Sequence, residues 1–297
     1  MDNKTEISKI RSWVMASRPR TLPAAVVPVV VGSAAAASDE KFIFLYALIA
    51  LVCSLLIQIG TNFTNDLYDY LKGADNEKRK GPLRAMVNGL ISVTEMKVGI
   101  AIIFLTAFVL GLYLVYTGGF FVLVIGIASI LAGIAYTAGP YPLAYNGLGD
   151  LFVFIFFGIV GTVGTYYVQA HTFSYLPFLC SIPVGALITN ILVVNNYRDI
   201  NEDKAANKFT LAVKFGRGFT RYQFLFLLFI SFAMPLILFF GFDFKGWVFL
   251  PYLTFPIAFK LIKMLYSYNG KELNKTLELT ARLSAIFGLL FSAGILL

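Results

Sequence analysis

Charge is scarce in this chain of 297 residues. Asp, Glu, Lys and Arg together make up 13% of it, about half of the roughly 25% found in soluble domains. Histidine is nearly absent, with His171 alone, and the two cysteines, Cys53 and Cys180, both sit in apolar runs. That supply argues against a zinc or iron–sulfur centre and against a disulfide framework. His171 reads as a solvated residue of a short loop. The first 20 residues are polar and mixed in charge, without a basic stretch leading into an apolar core, so no cleaved signal peptide is expected. A soluble globular enzyme is excluded as well: 58% of the residues are hydrophobic and the mean hydropathy is +0.77. The composition is that of a multi-span membrane protein.

A span takes about 20 apolar residues. Nine candidate helices fit the chain, at about 22–38, 42–71, 93–116, 120–136, 148–170, 176–200, 219–240, 247–266 and 277–297. The expectation is an all-α bundle of nine transmembrane helices forming one domain over 1–297, with 1–21 as an arm. Ile7, Ile10, Trp13 and Val14 fall on one face of that arm, as in a short interfacial helix. Cytoplasmic loops carry the excess of Lys and Arg in membrane proteins. With the N-terminus in the cytoplasm, the arm and every second loop hold all of the 24 Lys and Arg except Lys41 and Lys245. This predicts the N-terminus inside and the C-terminus outside.

Two acidic clusters then end helices on the cytoplasmic side. One is Asn65, Asp66, Asp69 and Asp75, with Glu77 after it; the other is Asn195, Asp199, Glu202 and Asp203. Ionisable residues at such depths are costly and mark function. Residues four apart share a helical face, so Gln58, Asn62 and Asp66 form one stripe, Asn65 and Asp69 the next, and Asn195, Asp199 and Asp203 a third. Oxygen-only ligands suit Mg2+ or Mn2+. Mg2+ is usually held by a few carboxylates together with substrate phosphates, and Lys72, Lys78, Arg79, Lys80, Arg84, Lys204 and Lys208 lie close by in sequence. The combination reads as a diphosphate site, although the same basic residues also satisfy the inside-positive bias by touching lipid headgroups. In an apolar bundle the diphosphate would belong to a lipid, its tail among the helices. The 29 Phe and 16 Tyr could wall a tunnel or simply face lipid.

At this point the chain resembles the UbiA-type intramembrane prenyltransferases, nine-helix bundles with two Asp-rich motifs that bind Mg2+ and an isoprenoid diphosphate. The resemblance rests on Asn65-Asp66-x2-Asp69-x3-Gly73-x-Asp75 and on Asn195-Asn196-Tyr197-Arg198-Asp199-x3-Asp203-Lys204-x3-Lys208. It extends to segments 16–24, 81–86, 139–145 and 164–169, and covers about 16–216. Gly73 and the later Asp75 are similar to the branch acting on 1,4-dihydroxy-2-naphthoate. Tyr197 and Asn207 depart slightly from the pattern. The resemblance implies metal binding by Asn65, Asp66, Asp69, Asp199 and Asp203. It implies diphosphate contacts from Lys72, Arg84, Lys204 and Lys208, and acceptor contacts from Arg20, Tyr141 and Tyr145. Gly139, Pro140 and Pro142 equally suit a rigid turn.

The implied reaction is Mg2+-dependent transfer of a polyprenyl group from polyprenyl diphosphate to 1,4-dihydroxy-2-naphthoate. Diphosphate and CO2 leave and a demethylmenaquinone forms. Asp69 and Asp199 are the expected catalytic carboxylates, and Asp75 is the nominee for a base. A cytoplasmic-membrane location with lipid contacts and no nucleic acid follows. Other aromatic acceptors, such as 4-hydroxybenzoate or homogentisate, stay open. So do a cation-coupled transporter and a lipid-binding scaffold.

Overall fold

The computed structural model describes residues 8–75, 81 and 84–297. Lys4 and Ile7 of the arm lie outside the described residues, as do Glu77, Lys78, Arg79, Lys80, Pro82 and Leu83. The described residues form helices and no strand. In chain order these are α1 (Lys9–Ser17), α2 (Pro23–Ser38), α3 (Phe44–Leu71), α4 (Val93–Gly118) and α5 (Phe120–Ala135). Then come α6 (Gly149–Ala170) and α7 (Tyr175–Arg198), α8 (Ile200–Ala205) and α9 (Leu211–Gly241), and α10 (Gly246–Ser267) and α11 (Leu273–Leu296).

Each apolar run of the sequence carries helix, though not every one meets the length and apolarity of a span on its own. Seven helices among the described residues are long and apolar enough to cross a bilayer, or eight if α1 and α2, bent by 51° between them, count as one. α5 is a shorter apolar helix of 16 residues. The reasons are local. Pro23 starts α2 at its first position, where a missing N–H costs nothing. Ser92 and Glu95 form a reciprocal capping box that fixes the start of α4. α6 widens to π-helical geometry over Phe154–Val160. α9 breaks at Gly216, where φ is +79°.

α7 is the central post, with 72% of its most apolar window buried, against 17% for α3 and for α4. Its Val184, Leu187 and Val194 pack with Phe224 and Leu228 of α9 and with Leu283 and Phe287 of α11. Fully burying a side chain of this size contributes about 1.5–3 kcal/mol against water. α3 and α4 instead turn Leu45, Leu48, Ile102 and Leu105 outward, as lipid-facing helices do.

The arm differs from the expectation. Trp13 turns inward, its ring 5.1 Å from that of Phe63, while Ile10 and Val14 are exposed. Lys9 reaches Glu95 of α4 at 2.8 Å. Asn62 donates to the Ser17 carbonyl at 2.9 Å and to the Thr21 hydroxyl at 3.3 Å. These contacts dock the arm across the ends of α3 and α4 and bring Arg18 and Arg20 to the same end of the bundle.

Candidate active site

α3 ends in a turn that its own sequence dictates. Gly73 adopts φ +69°, a region that costs little only for glycine. The N–H groups of Ala74 and Asp75 then both reach the Asp69 carbonyl, at 2.9 and 3.2 Å. Asp75 is thereby folded back over the helix end, where Arg84 meets its carboxylate at 3.0 Å.

The segment after α5 closes on the same point. Thr137 donates to the Asn65 side-chain oxygen at 2.9 Å, and its carbonyl accepts from Lys72 at 2.7 Å. The Tyr145 hydroxyl donates to Asp69 at 2.8 Å. Its carbonyl accepts from the Phe209 N–H at 2.9 Å. Its ring lies 4.3 Å from the Lys72 ammonium and 5.3 Å from that of Lys208. Burial, then the Asp69 carboxylate, holds the Tyr145 phenol well above its ordinary value, so it stays a donor. Burial lowers the Lys72 ammonium; Asp69 opposes that shift and Lys208 adds to it.

The second cluster is organised by Arg198, which the sequence reading quoted within the second motif but gave no role. Arg198 is 2% exposed. It grips both oxygens of Asp199 at 2.7 and 2.6 Å, and it donates to Asn195 and to Asn274 of α11 at 2.7 Å each. The chain bends at Asp199, which ends α7 and starts α8. The expected single stripe is therefore split between two helices, with Asp203 on α8. A 2.8 Å bond from the Asp203 N–H to the Asp199 carbonyl still keeps the two adjacent. Lys208 stands 3.9 Å from Asp203.

One cavity of about 690 Å³ joins these parts. Asn65, Asp66, Asp69 and Asp75 line one side of its polar end, and Asn195, Asp199, Glu202 and Asp203 the other, with Arg18, Arg20, Arg84, Lys208 and Asn274 between. From Asp69 the cavity follows α3 down to Ala50, roughly 28 Å at 1.5 Å per residue. Ile57, Val115, Ile130, Phe156 and Val160 make that stretch apolar, and Val122 and Val168 stand at its far end. Lys72, Lys204 and Tyr141 are exposed and do not line it. Tyr145 reaches the cavity through Asp69. Asp150 lines the cavity and was missed from sequence; it begins a span as the two clusters end theirs, which was the available signal.

The donor set fits a hard divalent cation: side-chain oxygens of Asn and Asp face one another across the polar end, without His or Cys there. Among the described residues no three His, Cys, Asp or Glu side chains gather tightly enough to hold an ion by themselves.

Residues 25–286 match the UbiA prenyltransferase family, and the chain belongs to it. It is a prenyltransferase and a multi-pass membrane protein. It is 35% identical to the 1,4-dihydroxy-2-naphthoate octaprenyltransferase of Haemophilus influenzae, covering 97% of each chain. It is 37% identical to the enzyme of the same name from Escherichia coli, covering 98% of this chain and 97% of that one. Among solved structures, a UbiA homolog from Archaeoglobus fulgidus bound to GPP and Mg2+ superposes with a TM-score of 0.67 at 15% identity, covering 96% and 100% of the two chains. The apo UbiA homolog from Aeropyrum pernix gives 0.69 at 17% identity, covering 93% and 95%.

Proposed function

We propose that this chain transfers a polyprenyl group from a polyprenyl diphosphate to 1,4-dihydroxy-2-naphthoate, with loss of diphosphate and CO2, to give a demethylmenaquinone in its reduced, quinol form. One observation carries the reading: both acidic clusters line the polar end of a single cavity whose remainder is an apolar tunnel. A diphosphate head and an isoprenoid tail require that pairing of surfaces. The names of the Haemophilus and Escherichia relatives support the naphthoate acceptor, and the GPP- and Mg2+-bound structure supports diphosphate and metal.

Asn65, Asp66 and Asp69 would hold Mg2+ from one side, and Asp199 and Asp203 from the other. Bound there, Mg2+ would neutralise charge on the leaving diphosphate. The protein's own contribution is preorganisation. Tyr145 fixes Asp69, and Arg198 fixes Asp199 and Asn195. Arg84 and Lys208, which line the cavity, are the cations for the phosphate oxygens, with Lys72 beside them over the Tyr145 ring; such charge-assisted contacts are stronger than neutral ones. As the allylic C–O bond lengthens, negative charge grows on the diphosphate next to these groups, and electrostatic stabilisation of that kind is usually the largest catalytic contribution. Positive charge grows on the prenyl carbon, where aromatic faces attract it; Tyr136, Phe152 and Phe156 line the cavity. The apolar walls exclude the water that would capture the cation.

The chain acts as one domain with its site at the cytoplasmic face, where the Lys and Arg bias puts this end of the bundle. Purified protein incubated with Mg2+, a polyprenyl diphosphate and dihydroxynaphthoate should give a product whose mass shows gain of the prenyl group and loss of CO2. Prenyl gain with the carboxylate retained, or turnover of 4-hydroxybenzoate in place of the naphthoate, overturns the acceptor assignment.

A further inference from the structure

The cavity holds a carboxylate that the reading above leaves without a task. Asp150, in the first turn of α6, is 5% exposed and lines the cavity together with Tyr136. A buried carboxylate is expensive unless it is paired or well hydrogen-bonded. Other acids of the cavity face cations: Asp75 faces Arg84, Asp199 faces Arg198 and Asp203 faces Lys208. Asp150 has no ion pair among the described residues. The Gln223 amide of α9 and its own backbone lie near its side chain, which leaves acceptor capacity on a carboxylate with two oxygens.

Its depth is set by Gly149. A β-carbon there would lie 3.1 Å from the Tyr136 hydroxyl and 3.6 Å from Leu192 of α7. The turn that carries Asp150 thus lies against Tyr136 at the level of Leu192, roughly 4.5 Å along α7 from Asn195. That is just below the oxygen-rich end that suits a diphosphate and at the start of the tunnel that suits its tail. It is the level at which the bond between diphosphate and prenyl carbon has to break.

We infer that Asp150 is a catalytic residue that receives the ring hydroxyl of the aromatic acceptor and takes its proton. The inference rests on the prenyl-transfer reading. The hydroxyl next to the reacting carbon gives its proton to the Asp150 carboxylate, and its O–H electron pair becomes a ring C=O. The ring carbon bearing the carboxylate attacks the allylic carbon, forming a C–C bond as the C–O pair leaves with diphosphate. The product of that step is a β-keto acid. Its C–CO2 bond breaks, the released pair restores the aromatic ring, and the carbonyl oxygen recovers the proton from Asp150. No proton is consumed and the carboxylate is regenerated. Asp75, engaged with Arg84, is not required as the base.

The test is Asp150→Asn, which keeps the shape of the side chain, with Asp150→Ser made alongside in case the amide variant does not fold. Initial rates are measured with Mg2+, a polyprenyl diphosphate and two acceptors: dihydroxynaphthoate, and an analogue whose ring hydroxyl is made more acidic by an electron-withdrawing substituent. The expected loss in kcat is about 100-fold or more, the scale of general-base catalysis, with the KM for the diphosphate and the melting temperature unchanged. The acidic analogue should recover a large part of the loss, which a merely structural defect would not allow. Activity close to wild type, or equal loss with both acceptors, overturns the assignment. Wild-type turnover is the control that separates the two readings. If wild type uses no hydroxylated aromatic acid, prenyl transfer fails and the role of Asp150 with it; if wild type turns over and the variant equals it, Asp150 alone fails.

Discussion

Replacing Arg198 by Gln should cost the protein stability before it costs chemistry. The guanidinium is buried and donates four bonds of 2.6–2.7 Å, two of them to Asp199 and one each to Asn195 and Asn274. Hydrogen bonds to charged groups are worth about 1.5–3 kcal/mol each, and removing one partner of a buried ion pair costs about 3–5 kcal/mol. A glutamine amide can restore one or two of the bonds but not the charge. We therefore expect a loss of about 3 kcal/mol, which at roughly 2–4 °C per kcal/mol for a chain of this order lowers the melting temperature by about 6–12 °C. Arg198→Lys should lose almost as much, because a point charge cannot bridge three acceptors in a plane. The double variant Arg198→Gln with Asp199→Asn removes both charges and should regain more than half of the lost melting temperature. Its prenyl transfer should stay low, because the Asp199 carboxylate is gone. Thermal unfolding in detergent and initial-rate assays on wild type, Arg198→Gln, Asp199→Asn and the double variant read both quantities in one mutant cycle. An Arg198→Gln protein that melts with wild type, or a double variant no more stable than the single one, refutes the reasoning.

Asp69→Ala should lower Mg2+-dependent prenyl transfer by about 100-fold or more, the scale of a lost stabilising group; full activity in an initial-rate assay would remove Asp69 from the site. Tyr145→Phe keeps the ring between Lys72 and Lys208 but deletes the donor to Asp69, and should reduce the rate about 10-fold, the low end for a bond to a charged group, with melting unchanged. Gly73→Ala puts a β-carbon at φ +69°, so calorimetry should show a loss of about 1–2 kcal/mol. Burial holds Lys72 below its ordinary value, so it loses its charge at a lower pH than the roughly 10.4 of a free lysine. Diphosphate affinity should therefore start to fall below that pH as the medium becomes alkaline, and Lys72→Arg should push the fall upward; pH–rate profiles of the two proteins check the direction.

The fold was legible wherever hydropathy alone decides it. Long uncharged runs became helices, because a segment in lipid must satisfy its own backbone. The two clusters met because each ends a helix at the same end of the bundle. Hydropathy does not register bends. The break at Asp199 and the 51° angle between Thr21 and Pro23 fall in polar stretches where hydropathy carries no signal, so the separate α8 and the docked arm were not visible. Trp13 faces inward although it shares an apolar stripe with Ile10 and Val14; a stripe shows which residues avoid water, not which of them meet protein rather than lipid. Arg198 was hidden for a different reason. Inside-positive counting treats every basic residue at a loop as equivalent, whereas a buried arginine adjoining an acidic motif is a structural ligand of that motif. Lys204 shows the converse: it sits in the motif by sequence and is exposed in the fold.

Tyr145 is where the two halves of the site meet. Its hydroxyl binds the Asp69 of α3, its carbonyl binds the Phe209 N–H beyond α8, and its ring lies between Lys72 from the first half and Lys208 from the second. Opposed acidic clusters repel, and each is costly to bury. Here the two carboxylates Asp69 and Asp199 are held by different kinds of donor, a neutral phenol and a fully charged guanidinium, while Asp75 meets the guanidinium of Arg84. The difference bears on metal binding. A hydrogen bond from a neutral hydroxyl to Asp69 leaves that carboxylate its negative charge, so Asp69 retains more attraction for a cation. Arg198 offsets the charge of Asp199 directly, so that side stays more nearly balanced until phosphate and metal arrive together. Tyr145 thereby keeps the Asp69 oxygen in place, with its ring between the two lysines.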